Sequence, residues 1–274
     1  MLTGKSALIT GSSRGIGRGI ALKLAEQGAR IAVHYYQNES AAKATLAKVR
    51  ELGSDGFIVQ ADVCDPEQVS RIFKQVEKEF AALDIFVSNA RTEAATFYQP
   101  PMEITLEKWD TAMDSQAKAF LVGAREAAPF MRDGGRIIAI SYTPGGIFGS
   151  WQPWVAMGAA KAAMEVLCRY FGVALAHREI TVNVVSPGWT EDSVLESLPD
   201  AVQQGIRAWQ DQGWTPMRRL GTPADIGNAV ALLCSQEAAW ITGQTIAVDG
   251  GASLMGAHIP LDIQQAVPKT AKAA

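Results

Sequence analysis

Short apolar runs alternate along the chain with stretches in which apolar residues recur every three or four positions. Runs at 6–10, 30–35, 56–60, 83–88, 135–141, 180–186 and 245–248 have the length and character of buried strands. Helical patterns lie between the first six, at about 15–28, 39–52, 66–80, 103–131 and 153–176. Strands alternating with helices of this length read as βαβ units, and right-handed crossovers then wind a parallel sheet with helices on both faces. The predicted fold is α/β, a doubly wound Rossmann-type sheet of about seven strands. No linker or internal repeat interrupts it. Residues 1–256 therefore read as one domain, and the Ala- and Lys-rich residues 257–274 as a surface tail.

The pattern changes between about 190 and 214. Leu195, Leu198, Val202, Ile206 and Trp209 are spaced to share one face of a helical segment. Two readings are open: ordinary core packing, or a lid over a site at the carboxyl edge of the sheet, where this architecture binds ligands.

Composition narrows the function classes. The 274 residues carry 25 basic and 28 acidic side chains, a formal net charge of −3, with 48% apolar and 19% charged residues. These are values for a packed globular protein, not a disordered one. No basic run suggests a nucleic-acid partner. Cys64, Cys168 and Cys234 are odd in number and far apart, which argues against a disulfide framework or a cysteine zinc site. The scattered His34, His177 and His258 make no metal cluster. The longest uncharged stretch, 137–160, is broken by glycines and prolines and does not read as a membrane span. With no leader pattern at the start, a soluble cytoplasmic protein without a membrane partner is expected.

The segment Thr10-Gly11-Ser12-Ser13-Arg14-Gly15-Ile16-Gly17 joins the first strand to the first helix. Glycines there let the backbone approach a pyrophosphate, and the helix N-terminus offers N–H groups. Gly11, Ser13, Gly15, Ile16 and Gly17 are candidate cofactor contacts. The second strand ends His34-Tyr35-Tyr36-Gln37-Asn38, with no acidic residue before Glu39. An NAD site usually places an acid there for the ribose 2′-hydroxyl. Arg14, inside the turn, can instead pair with a 2′-phosphate. The expected cofactor is therefore NADP(H), with His34, Tyr35 and Tyr36 beside its ribose end.

With these landmarks the sequence resembles the short-chain dehydrogenase/reductase superfamily. Further landmarks are Asp62-Val63, Asn89-Ala90, Lys161 in the long helix, Pro187-Gly188 and Asp249-Gly250-Gly251. The resemblance implies that Asp62 and Val63 hold the adenine. It also implies that Asn89 and Ala90 line the cofactor, and that Pro187, Gly188 and Thr190 meet the nicotinamide. It implies a homotetramer or homodimer with the long helices at one interface. The catalytic set departs from the family pattern. Met157 stands where the family has its Tyr, Tyr142 where it has its Ser, Gln116 where it has an Asn, and Arg91 where it has a Gly; Lys161 remains. The stretch Trp154-Val155-Ala156-Met157-Gly158-Ala159-Ala160-Lys161 is similar to that of enoyl-acyl-carrier-protein reductases, whose Tyr aligns with Trp154.

Met157 has no proton to give, so ordinary carbonyl reduction is disfavoured. Reduction of a conjugated C=C, in an enoyl thioester or enone, needs donors for a developing enolate rather than a strong acid. Tyr142, Lys161 and Trp154 are the candidate catalytic residues, with Lys161 also on the cofactor ribose. Arg91, Trp151, Met157, Trp189 and Trp209 are candidate contacts for an apolar small-molecule or acyl-thioester substrate. Trp154 and Met157, one helical turn apart, also fit plain core packing, and Tyr142 fits a buried structural hydroxyl. Arg91 fits the cofactor phosphates, an acidic substrate or a solvated loop. An atypical ketone or imine reductase, and a non-redox cyclase, lyase or cofactor-binding pseudoenzyme, remain as alternatives.

Overall fold

The computed structural model describes residues 2–93, 97–142 and 153–255. Seven parallel strands form one sheet in the order β3-β2-β1-β4-β5-β6-β7. They are β1 (Ser6–Ile9), β2 (Arg30–Tyr35), β3 (Gly56–Gln60), β4 (Leu83–Ser88), β5 (Met131–Ile140), β6 (Thr181–Pro187) and β7 (Thr245–Val248). The central strands are buried on both faces, as crossover helices on both sides require. Alternate residues divide between two apolar layers. Ala7 and Ile9 join Ile20, Leu24, Ile226 and Val230 on one face, and Leu8 joins Phe73, Phe86 and Phe120 on the other. Registers such as Leu8↔Ala32 and Leu8↔Phe86 bring all the carboxyl ends to one edge of the sheet. The predicted fold class is the observed one.

Eight α-helices precede the last α-helix among the described residues: α1 (Gly15–Glu26), α2 (Glu39–Glu51), α3 (Pro66–Phe80), α4 (Leu106–Met113), α5 (Ala119–Phe130), α6 (Val155–Ala174), α7 (Ser193–Glu196) and α8 (Asp200–Gln212). The helix expected over 103–131 begins later, at a Thr105 cap whose hydroxyl accepts the Lys108 N–H at 3.3 Å. It is also interrupted by a π turn, Asp114–Lys118. The strand expected at 135–141 starts earlier, because Met131 pairs with Leu83 before a register shift. The 190–214 pattern is two helices, not one: Pro199 ends the first and stands at the N-cap of the second.

The helix α9 (Pro223–Leu233) was not among the predicted elements. Its signal was local and legible. Thr222 and Asp225 form a capping box around Pro223, with the Asp225 N–H reaching the Thr222 hydroxyl at 3.2 Å and the Thr222 N–H reaching the Asp225 carboxylate at 2.8 Å. The helix packs against α1 where glycines meet. A Cβ on Gly19 would collide with the Pro223 carbonyl, and one on Gly227 would lie 2.7 Å from the Gly19 carbonyl oxygen. This close approach holds the start of α1, and hence the turn before it, against the sheet. Gly19→Ala is expected to cost about 1–3 kcal/mol through overpacking against backbone. A lowered midpoint in thermal unfolding reads this loss, and an unchanged midpoint would show that α9 can give way.

Candidate active site

The turn between β1 and α1 is tied from three directions. Gly11 has φ +66°, and a Cβ there would lie 2.9 Å from the Ala90 Cα; a Cβ on Gly17 would collide with the Gly11 carbonyl. The Thr10 hydroxyl accepts the N–H groups of Asn89 and Ala90 at 2.9 and 3.0 Å. The Asn89 side-chain amide donates back to the Thr10 carbonyl at 2.9 Å. The Ser12 hydroxyl donates to the Ile9 carbonyl at 2.7 Å and accepts the His34 N–H at 3.0 Å.

His34 completes the joint. Its Nδ1 accepts the Gly11 N–H at 2.9 Å, so Nε2 carries the proton and donates to the Ala61 carbonyl at 3.2 Å. One neutral ring thus links the ends of β1, β2 and β3. Burial pushes the imidazole down to about 4, against the opposing pull of the Ala61 carbonyl and Asp62. His34 lies on the wall of the cleft, but its two ring nitrogens are both spent on backbone.

A cleft of about 850 Å³ opens along this edge of the sheet. One end is lined by Gly11, Ser13, Arg14, Ile16 and Gly17 from the turn and by Tyr35 and Tyr36 from β2. Asp62, Val63, Asn89 and Ala90 line the middle, and Pro187, Gly188, Trp189 and Thr190 the far wall. These features fit a dinucleotide: a glycine cradle that side chains would fill, a helix N-terminus above it, and no acid at the end of β2. Arg14 stands at the N-cap of α1 with an exposed side chain, 3.9 Å from Glu93. Glu39, the first acid after β2, is engaged by Lys43 at 2.9 Å.

At the other end sit Arg91, Tyr142, Trp154, Met157 and Lys161. Lys161, on α6, is buried and donates to the Ile140 carbonyl. Burial and then the neighbouring Arg91 charge push its amine down to about 7, opposed by Glu165. Burial, helped by Glu165, pushes the Tyr142 phenol up to about 12. Glu165 itself is held by the Ser141 hydroxyl at 2.5 Å. Gln116 lies in the π turn and donates to the Ala90 carbonyl at 3.1 Å, so the turn braces the loop that carries Arg91. Met157 is 3% exposed and belongs to an apolar cluster with Phe97, Ala112 and Trp154. Trp154 stacks on Phe97 at 4.7 Å and meets Tyr142 edge-on at 6.1 Å. Trp154 and Met157 are therefore at once core and cleft wall.

Two sequence candidates lie elsewhere. Gly15 is the first residue of α1, at φ +56°, and is not on the cleft wall. Trp209 is 49% exposed and off the wall as well. Ile206 and Gln210 occupy the buried face of α8, which turns Trp209 outward. Leu195, Leu198 and Ile206 pack with Leu220, and Trp189 packs against them, so the stripe is core that backs the cleft. Trp151 and the tail 257–274 lie outside the described residues. Thr92 and Asp192 line the cleft without having been singled out, since neither belongs to a spaced motif.

Residues 11–253 match the profile of the family described as Enoyl-(Acyl carrier protein) reductase. The 1-cyclohexenylcarbonyl-CoA reductase of Streptomyces collinus is 36% identical over 262 residues, covering 95% of this chain and 91% of its own. The hydroxynaphthalene reductase-like protein Arp2 of Metarhizium brunneum is 34% identical over 264 residues, covering 92% and 96%. Among solved structures, the angucycline C-6 ketoreductase LanV with bound NADP is 36% identical, with a TM-score of 0.83 and coverage of 93% and 97%. The chain belongs to the short-chain dehydrogenase/reductase superfamily, within the family of that profile. No helix among the described residues is long and apolar enough to cross a membrane.

The depressed imidazole has a consequence for stability. Between about pH 6.5 and 4 the unfolded chain binds the His34 proton and the folded chain does not, so stability rises with pH across that window. From pH 7 to pH 5 this one group should cost the fold about 2 kcal/mol. Urea unfolding at the two pH values reads it, and His34→Gln should show a loss smaller by about that amount. An equal loss in both proteins would remove His34 as the cause.

Proposed function

We propose that this chain, an NADP(H)-dependent oxidoreductase, adds hydride to the C=C bond of a conjugated acceptor, an enone or enoyl thioester, in an apolar cleft. The observation that carries this reading is Met157. By resemblance it stands at the position of the superfamily's acid, while Tyr142, a phenol packed on the same cluster, is half-buried and held protonated. When bound, NADPH supplies the hydride. The chain's own groups hold and orient that cofactor: the Gly11–Gly17 cradle at the pyrophosphate, Arg14 at the 2′-phosphate, and Lys161 at the ribose. Tyr142 donates a hydrogen bond to the acceptor's carbonyl oxygen and keeps its proton, which suits an enolate better than an alkoxide. Trp154, Met157 and Trp189 exclude water from the reacting carbon. The family profile and the S. collinus relative's name support the same bond type.

A second reading is reduction of a ring ketone on a polycyclic aromatic. The aromatic wall of Trp154, Tyr142 and Trp189 favours it. So do the LanV structure with NADP and rabelomycin and the name of Arp2. A stripe of exposed apolar residues on α6, Val166, Tyr170 and Val173, supports association of copies through that helix.

NADPH oxidation followed at 340 nm separates the two readings. Turnover of a cyclic enone and an enoyl thioester, with none of the saturated ketones, is the expected result; turnover of ketones alone would move the assignment to the second reading. Loss of one oxyanion donor in Tyr142→Phe should lower kcat about 10²–10³-fold. A change under about threefold would remove Tyr142 from the chemistry. Loss of a charge-assisted contact in Arg14→Ala should raise KM for NADPH by about 10–100-fold and leave NADH nearly unchanged. Equal effects on both cofactors would place the 2′-phosphate elsewhere.

A further inference from the structure

Position 91 puts a cation where the superfamily pattern has a glycine, in the same cleft that lacks the usual acid. Arg91 is half-buried, but its guanidinium is desolvated, which holds it below its ordinary pKa. Its Nη1 donates to the Thr92 carbonyl at 2.7 Å. Among the described residues that is its one hydrogen bond, made by one of five N–H donors, and it forms no ion pair there. Asp192 and Glu93 attract it and Arg14 repels it through space. On the same wall the Thr92 hydroxyl is buried without a hydrogen-bond partner among the described residues. Lys161, lining the same cleft, feels the Arg91 charge.

We propose that Arg91, with the Thr92 hydroxyl, receives the negative charge that reduction leaves on the acceptor's oxygen, so that the substrate is one whose reduced form is a delocalised oxyanion. This rests on the conjugated-acceptor reading. Hydride addition forms a C–H bond at the β-carbon and breaks the C=C π bond. The carbonyl π pair moves onto oxygen, and the acceptor gains the two electrons that the reduced nicotinamide loses. Water then supplies the proton that restores neutrality at the α-carbon. Met157 cannot give that proton, and Tyr142 is held against giving it. A fixed cation stabilises the oxyanion without any proton transfer, and its planar fork matches two acceptor lone pairs.

The test is binding, independent of turnover. Protein saturated with NADP⁺ is titrated calorimetrically with 1,3-cyclohexanedione, an enolate at neutral pH, and with its neutral methyl enol ether. The enolate should bind at least about tenfold more tightly, a magnitude typical of one hydrogen-bonded charge contact. Arg91→Met should reduce the preference to within about twofold, and Arg91→Lys should retain part of it. The NADP⁺ affinity of both variants should match the parent protein, which also reports that they fold. Equal binding of the two probes by the parent protein would overturn the proposal. So would a preference that survives Arg91→Met. A tenfold or greater loss of NADP⁺ affinity, by about 1.4 kcal/mol, would assign Arg91 to the cofactor phosphates instead. If the enolate preference stands while enones are not turned over, the C=C reading falls and Arg91 keeps its anion.

Discussion

The whole site hangs on one neutral imidazole. His34 accepts from Gly11 and donates to Ala61, so the carboxyl ends of three parallel strands are joined by a single ring. Every backbone polar group at such an edge needs a partner; the Ser12 N–H finds the His34 carbonyl, and the Gly11 N–H finds the ring. The position of Gly11 fixes Thr10, whose hydroxyl gathers the Asn89 and Ala90 N–H groups. Ala90 is then gripped from behind by Gln116, and Arg91 is the next residue. A ring at the second strand thus governs where a guanidinium stands at the fourth. Because the ring is buried and both nitrogens are committed, it stays neutral and adds no charge of its own to the cleft.

At the other end of the cleft Met157 stands four residues before Lys161, where the family resemblance puts an acid. A side chain that gives a proton and a side chain that carries a fixed charge answer the same need, the negative charge that follows hydride addition. Met157 removes the first answer. Arg91 and Lys161 offer the second, and their mutual repulsion in a desolvated cleft is part of why the Lys161 amine sits so low. Glu165 tempers that repulsion from within α6 while being held by Ser141. Trp154 and Met157 keep the region dry through the same contacts that make them core. Dryness strengthens each electrostatic interaction there.

Much of the fold was legible because burial on two faces leaves a strong pattern. The bounds of β2, β3, β4 and β7, and of α3, are those the apolar runs and the Asp65-Pro66 start mark out. The elements that differ are those whose bounds depend on a partner. The π turn at Asp114–Lys118 widens a helix that reads as continuous, and the early start of β5 depends on Leu83. The α9 helix had a visible capping box, Thr222 to Asp225, that outweighed its weak amphipathic pattern. In the site, the spaced glycines and the missing acid after β2 were readable, since a turn and a strand end are local. Thr92 and Asp192 were not, because no spacing rule connects them to Lys161.

Residue order alone was enough to set the class of fold, the spaced glycines of the first turn and the Met at position 157. Each depends on local spacing, on the 2.0 and 3.6 residue periods, or on one residue type at one landmark. Tertiary structure alone decided the rest. It turned Trp209 outward by seating Ile206 and Gln210, and committed both His34 ring nitrogens to backbone. It also brought Arg91, Thr92, Tyr142 and Lys161 into one cleft. Those outcomes depend on distances between segments far apart in the chain, and on the desolvation that their packing creates.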